Sequence, residues 1–121
     1  MESTAKVLYE FLSGFDLPAY DQNAIPDDAE LPYITYYAPE PSWDERLSAY
    51  AQVWYRTKSR ATVNAKTDEI IAAIGAAGVN IPCDGGYIYI WPVRRTDPVQ
   101  SDSVLGNKIE FFVSSYHMPG V

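Results

Sequence analysis

The stretch from Tyr50 to Val93 constrains the fold most strongly, because its hydrophobic period changes twice along its length. From Tyr50 to Lys58, apolar and polar residues alternate, which predicts a strand with one buried face. Tyr87 to Val93 is rich in β-branched and aromatic residues and predicts a second strand. Between them, residues at helical spacing form one apolar stripe: Val63, Thr67, Ile70, Ile71 and Ile74. Such a stripe must be covered, and the nearest cover is one face of a sheet.

Capping residues mark the ends of two predicted helices. Ser3 or Thr4 can cap a first helix that ends at Gly14, and Gly78 is placed to end the second helix. The buried stripe of the first helix would consist of Val7, Leu8, Phe11 and Leu12.

The remaining segments predict two further strands and their connecting loops. Alternating apolar residues predict strands at Tyr33–Tyr37 and Lys108–Tyr116. Residues 16–31 contain two prolines and an acidic run and predict an extended, solvated loop, whereas residues 38–48, with Pro39 and Pro41, predict a turn region. Residues 94–103 show no periodicity and predict a long, exposed hairpin loop.

The predicted element order is therefore α-β-β-α-β-β, within one domain spanning residues 1–121. The simplest α+β architecture for this order is a four-stranded, mainly antiparallel sheet with two helices packed on one face. The other face would stay uncovered. It would carry aromatic side chains drawn from Tyr36, Trp54, Phe112, Tyr116 and the tyrosines of residues 87–93. An aromatic patch of this size predicts self-association or a protein partner.

Charge and apolar patterning argue against several classes of protein. A net charge of −7 disfavours general affinity for nucleic acid, whose phosphates the surface would repel. The sequence shows no signal peptide and no apolar run long enough to cross a bilayer. A single cysteine cannot form an internal disulfide. The expectation is a soluble, cytoplasmic protein that binds neither membranes nor specific nucleic-acid sequences.

Candidate catalytic and metal-binding residues are few. His117, the one histidine, lies in a short C-terminal tail, which favours a surface histidine over a general base. Cys83 follows a helix and precedes a turn, which favours a small half-buried filler over a reactive thiol. Asp27, Asp28 and Glu30 lack the glycine-turned spacing of a calcium loop and predict a solvated acidic segment. No enzyme activity, cofactor or metal is expected.

Two sets of residues are candidates for a protein interface. The basic set is Arg56, Lys58, Arg60, Arg94 and Arg95, which the predicted pairing gathers near one end of the sheet. It is either a solvated rim or a contact surface for acidic residues of a neighbouring copy. The aromatic set lies in loops or on the uncovered face. The predicted interface residues are Tyr20, Asp27, Asp28, Trp43, Trp54, Arg56, Lys58, Arg94 and Arg95.

Four sequence runs resemble small proteins encoded in the tail-morphogenesis region of tailed phages and prophages. They are residues 15–20 (FDLPAY), 25–36 (IPDDAELPYITY), 53–59 (VWYRTKS) and 84–90 (DGGYIYI). The resemblance implies a tail completion or tail terminator protein, which is a structural protein without catalytic residues. Such proteins share an α/β fold of this size and form rings, usually hexameric, that cap the head-proximal end of the tail tube.

The resemblance also implies partners and a location. The ring would contact the tail tube protein and the head–tail connector, and it would be part of the virion tail after assembly in the host cytoplasm. DNA would pass through the lumen, where negative walls would repel its phosphates. A head–tail adaptor role and a small α+β ligand-binding module are the alternatives.

Overall fold

The secondary structure is taken from a computed structural model that describes residues 3–42 and 45–117. Within these residues two α-helices form, α1 (Thr4–Leu12) and α2 (Arg60–Ile74), and a 3₁₀ turn follows α1 at Ser13–Phe15. The strands are β1 (Ala19–Asp21), β2 (Tyr33–Tyr37), β3 (Arg46–Arg56), β4 (Val79–Cys83), β5 (Gly86–Ile90), β6 (Arg95–Ser101) and β7 (Val104–His117).

The predicted four-stranded sheet with two helices is wrong, because the described strands form a larger, curled mixed sheet. Its strand order is β1-β2-β3-β7-β5-β4, and β6 also pairs with β7. The β1–β2 pair is parallel, and the other described pairs are antiparallel. The fold is therefore mostly β, with two helices added to one face of the sheet.

Three strands are missing from the prediction because their local signals are short, absent or interrupted by proline, and pairing with neighbouring strands stabilises them. β1 has only three residues and depends on its parallel pairing with β2. β4 contains Pro82 and β6 contains Pro98. Proline has no backbone N–H, so its presence in a sequence argues against a central strand. Both prolines are tolerated here because β4 and β6 are outer strands of the sheet.

The predicted hairpin loop at residues 94–103 is wrong over most of its length. β6 occupies residues 95–101 and pairs with residues 104–110 of β7, which leaves only a two-residue turn at 102–103. β5 pairs with residues 113–117 of β7, so β5 and β6 lie end to end along the same edge of that strand. A segment with no hydrophobic period thus becomes a strand because the long β7 supplies its hydrogen bonds.

The core lies between the helices and one face of the sheet. Its strand residues include Ile34 of β2 and, from the alternation of β3 and β7, Ala49, Ala51, Val53, Ile109, Phe111 and Val113. α2 buries Val63, Thr67, Ile70 and Ile74 of its predicted stripe, while Ile71 stays partly exposed. The helix ends at Gly75 and not at Gly78 as predicted, because Gly75 has φ of 80° and its N–H donates to the carbonyl of Ile71.

The first helix begins at the predicted cap. Oγ of Ser3 accepts a hydrogen bond from the N–H of Lys6 at 3.1 Å, and the carboxylate of Glu40 accepts one from the N–H of Thr4. The residues buried from the predicted stripe are Val7, Leu8 and Leu12. The α-helix ends at Leu12, where the 3₁₀ turn containing Gly14 takes over.

Candidate protein-interaction surface

The face of the sheet that points away from the helices, here called the open face, carries a broad set of aromatic side chains. They are Tyr33, Tyr37, Tyr50, Trp54, Tyr87, Tyr89, Trp91, Phe112 and Tyr116. All are partly exposed, and Tyr37 keeps 39% of its surface accessible. Neither described helix covers them, since α1 contacts β1 and β2 and α2 contacts β3 and β7 through the buried side.

Strand register brings these rings into contact across the open face. Tyr37 is paired with Tyr50, with ring centroids 5.5 Å apart, and Tyr87 stacks on Tyr116 at 4.9 Å. Both distances lie in the range where aromatic pairs attract. The open face is therefore built of ordered ring pairs, which bury part of each ring and leave the rest accessible.

Tyr36 does not belong to this surface, although the sequence predicts it as a candidate. It is only 6% exposed, because it lies in β2 beside Ala51, whose side chain faces the core. Burial raises the pKa of the Tyr36 hydroxyl above its usual value, and the charges of Asp21 and Tyr9 raise it further.

Arginine side chains stack on the rings at one end of the open face. The guanidinium carbon of Arg46 lies 4.5 Å from the ring centroid of Phe112 and 4.9 Å from that of Trp91, and that of Arg94 lies 4.8 Å from Phe112. We call Arg46, Trp91, Arg94 and Phe112 the arginine patch. Stacking uses the flat faces of a guanidinium and leaves its N–H donors, which lie in the plane, open to a partner.

The neighbouring Arg95 is in a different state from the two arginines of the patch. Its Nε lies 2.9 Å from Oδ2 of Asp97 and 3.7 Å from a carboxylate oxygen of Glu110. Among residues 3–42 and 45–117, no carboxylate pairs with Arg46 or Arg94. The sequence predicts the same role for Arg94 and Arg95. Of these two arginines, Arg95 is paired with carboxylates, whereas Arg94 has no carboxylate partner among the described residues.

A groove of about 520 Å³ lies at the opposite end of the open face. Its floor includes Gln52 and Trp54, and the β1–β2 loop contributes Ile25 and Leu31. Nε1 of Trp54 donates to Oγ1 of Thr35 at 3.0 Å, so the indole is fixed in place and only part of it faces the groove.

The acidic segment of the same loop is folded into a tight turn. The N–H of Ala29 donates to the carbonyl of Pro26 at 3.1 Å, which places Asp27 and Asp28 at the two central positions. Both aspartates are exposed, and the next residue but one, Glu30, is exposed as well. We call residues 26–30 the acidic turn.

The predicted basic set is not gathered at one end of the sheet. Arg56 lies opposite Val104 and Arg95 opposite Glu110, six positions apart on β7, which is roughly 20 Å of extended strand. Arg56 donates to Oγ of Ser103 at 2.8 Å, and Lys58 is exposed in the connection to α2.

The other predicted residues have separate environments. Tyr20 is half-buried in β1 and meets the ring of Tyr33 edge-on at 5.6 Å. Trp43 lies outside the described residues. Cys83 ends β4 and is half-buried, and His117 is the last residue of β7 and not part of a separate tail.

Sequence reasoning missed Arg46 and Trp91. The segment 38–48 reads as a turn because of its prolines, yet the alternation of β3 already begins at Leu47, and Arg46 precedes it on the open face. That upstream continuation of the pattern could have revealed Arg46. Trp91 follows β5, and its backbone N–H donates to the carbonyl of Phe112. The alternation of Tyr87, Tyr89 and Trp91 with Ile88 and Ile90 could have placed it on the same face as the tyrosines.

Within the described part of the chain, no cluster of three or more histidine, cysteine or acidic residues could hold a metal ion. Neither α1 nor α2 has the length and apolar character that a membrane-crossing helix requires. No protein-family model matches the sequence, and no curated protein matches it significantly. The resemblance to tail-terminator proteins stays a prediction.

Proposed function

We propose that this chain is a structural virion-assembly protein of the tail-terminator type. Copies would associate into a ring, hexameric as in the proteins it resembles, that closes the head-proximal end of a tail tube and joins it to the head connector. The observation that carries the proposal is the open face, where nine partly exposed aromatic residues lie together without helical cover in the described chain. A surface of this kind is typical of protein interfaces.

The outer strands β4 and β6 favour association through the open face over pairing of strands between copies. Pro82 in β4 and Pro98 in β6 each remove a backbone donor from an outer strand. Prolines at such positions discourage edge-to-edge pairing between sheets. A partner that binds near these edges would therefore contact side chains of the open face.

Gene inactivation tests this proposal in the phage or prophage that encodes the chain. We expect tailless heads and tail tubes of uncontrolled length in electron micrographs, because nothing would stop tube growth. Re-expression of the chain should restore joined particles of uniform tail length. Tails of normal length that fail only to join heads would indicate the head–tail adaptor role instead. Normal virions would refute both.

The groove beside Trp54 favours one second candidate, a small ligand-binding module. Its volume is large enough for a small molecule, and it combines an indole with the polar side chains of Gln52 and Arg56. Tryptophan fluorescence of wild type and of Trp54→Phe would be compared during titration with a metabolite library. A saturable change that is lost in Trp54→Phe would support a ligand site.

A further inference from the structure

We propose that the acidic turn of one copy docks on the arginine patch of the next copy. The inference rests on the self-association proposed above and names the two surfaces that meet. Each copy would offer its acidic turn to one neighbour and its arginine patch to the other. Such a head-to-tail contact closes into a ring when its rotation allows.

The arginine patch has guanidinium groups that pair with no carboxylate of the described chain. Arg46 and Arg94 both stack on Phe112, and neither is paired with a carboxylate in the described chain. Both are exposed, so the stacked guanidinium planes are accessible. Two arginines held over one ring bring several N–H donors close together at an exposed site, and a pair of carboxylates is the complementary ligand.

The acidic turn supplies that pair in a fixed form. Asp27 and Asp28 occupy adjacent central positions of a hydrogen-bonded turn and are exposed. The turn belongs to the loop that forms one wall of the Trp54 groove, so it lies at the groove end of the open face. Because the turn is already folded, docking it would cost less conformational entropy than docking a flexible segment.

The two surfaces of one subunit lie too far apart to meet. Arg46 and Trp54 are eight positions apart on β3, or roughly 26 Å of extended strand, and the acidic turn lies beyond Trp54. The acidic turn therefore needs a second subunit to reach an arginine patch. The net charge of −7 would otherwise keep copies apart, so a local basic patch is the surface that a second acidic copy would choose.

Paired charge reversals test the contact. The patch variant carries Arg46→Glu and Arg94→Glu, and the turn variant carries Asp27→Arg and Asp28→Arg. Sedimentation velocity should show association in wild type. In each variant alone, the dissociation constant should rise by about tenfold or more. An equimolar mixture of the two variants should associate again, because each then meets a complementary neighbour. Association should also weaken as salt is added.

Lys58→Glu is the control, since it makes the same kind of charge reversal once, at an exposed site that belongs to neither surface. It should associate like wild type, and circular dichroism should show that all variants are folded. Variants that associate like wild type, a mixture that fails to recover, or a wild type that stays monomeric would each overturn the inference. Tail defects after gene inactivation, together with unaffected charge-reversal variants, would refute this contact and leave the proposed function standing.

Discussion

Arg60 and Asn107 join α2 to β7 on the buried side of the sheet, with Nη1 of Arg60 3.1 Å from Oδ1 of Asn107. Nδ2 of Asn107 donates to Asn64 at 3.0 Å and to Oγ1 of Thr67 at 2.9 Å. The same guanidinium donates to the carbonyls of Val99 and Gly106. The first turns of α2 are thus fixed to the β6–β7 hairpin by a polar cluster in which Asn107 is 7% exposed.

Asn107→Ala should destabilise the fold by about 2–4 kcal/mol, because it removes the hydrogen bonds of Asn107 with Arg60, Asn64 and Thr67 at a buried position. Asn64→Ala is the control, since Asn64 is exposed and water can replace it, and it should cost below about 1 kcal/mol. Urea unfolding measures both free energies. An equal loss of unfolding free energy in the two variants would show that the hydrogen bonds of Asn107 stabilise the fold no more than an exposed one does.

Gly106→Ala should be more damaging than its small size suggests. A Cβ at this position would lie 2.4 Å from the carbonyl oxygen of Val53 and 3.0 Å from the ring of Trp54. Because the oxygen belongs to the backbone of the central strand β3, the sheet must shift, at a cost of about 3 kcal/mol. Thermal unfolding should show a Tm lower by about 10 °C.

Gly14→Ala is the matched control for this change. Nothing lies within 4 Å of a Cβ at Gly14, so its Tm should stay close to that of wild type. A Gly106→Ala protein as stable as Gly14→Ala would mean that β3 and β7 are less closely paired than the structure indicates.

The free energy of unfolding should fall at alkaline pH, in part through Tyr36. Burial raises the pKa of Tyr36 in the folded protein above the usual tyrosine value of about 10. The folded state then holds this proton more tightly than the unfolded state, so the contribution is fully present below pH 10 and is lost as pH rises through the folded pKa. Tyr36→Phe should therefore lose stability less steeply as the pH rises above 10 in urea titrations. Parallel curves for both proteins would count against a raised pKa.

Insertions in the β6–β7 hairpin should be tolerated in its turn but not within β6. Two glycines between Asp102 and Ser103 lengthen the turn and should cost about 1 kcal/mol or less. One glycine between Val99 and Gln100 moves the rest of β6 out of register and to the other face, which should cost at least about 2 kcal/mol. Chemical denaturation compares the two. Equal tolerance would support a free loop at residues 94–103.

The sequence predicted the parts of the fold that carry their own period. Tyr33–Tyr37 forms β2 with the predicted bounds, and Ser3 caps α1. The alternation of β3 and β7 places Val53 in the core and Trp54 on the open face. The candidate site was less accessible to sequence reasoning, because it depends on which strands become neighbours. Arg46 and Arg94 are 48 positions apart in the chain and meet only over Phe112.

By itself, the sequence determined which faces of the helices and long strands are apolar, since a period of two or of 3.6 is written in the order of residues. Only the tertiary structure decided the number of strands and the position of the charged groups. β1 is too short to show a period, β6 has none, and the short alternation of β4 is interrupted by Pro82, so these strands depend on the backbone groups that β2, β7 and β5 offer them. Hydrogen bonding between strands is a long-range interaction, so residues distant in the chain fix it.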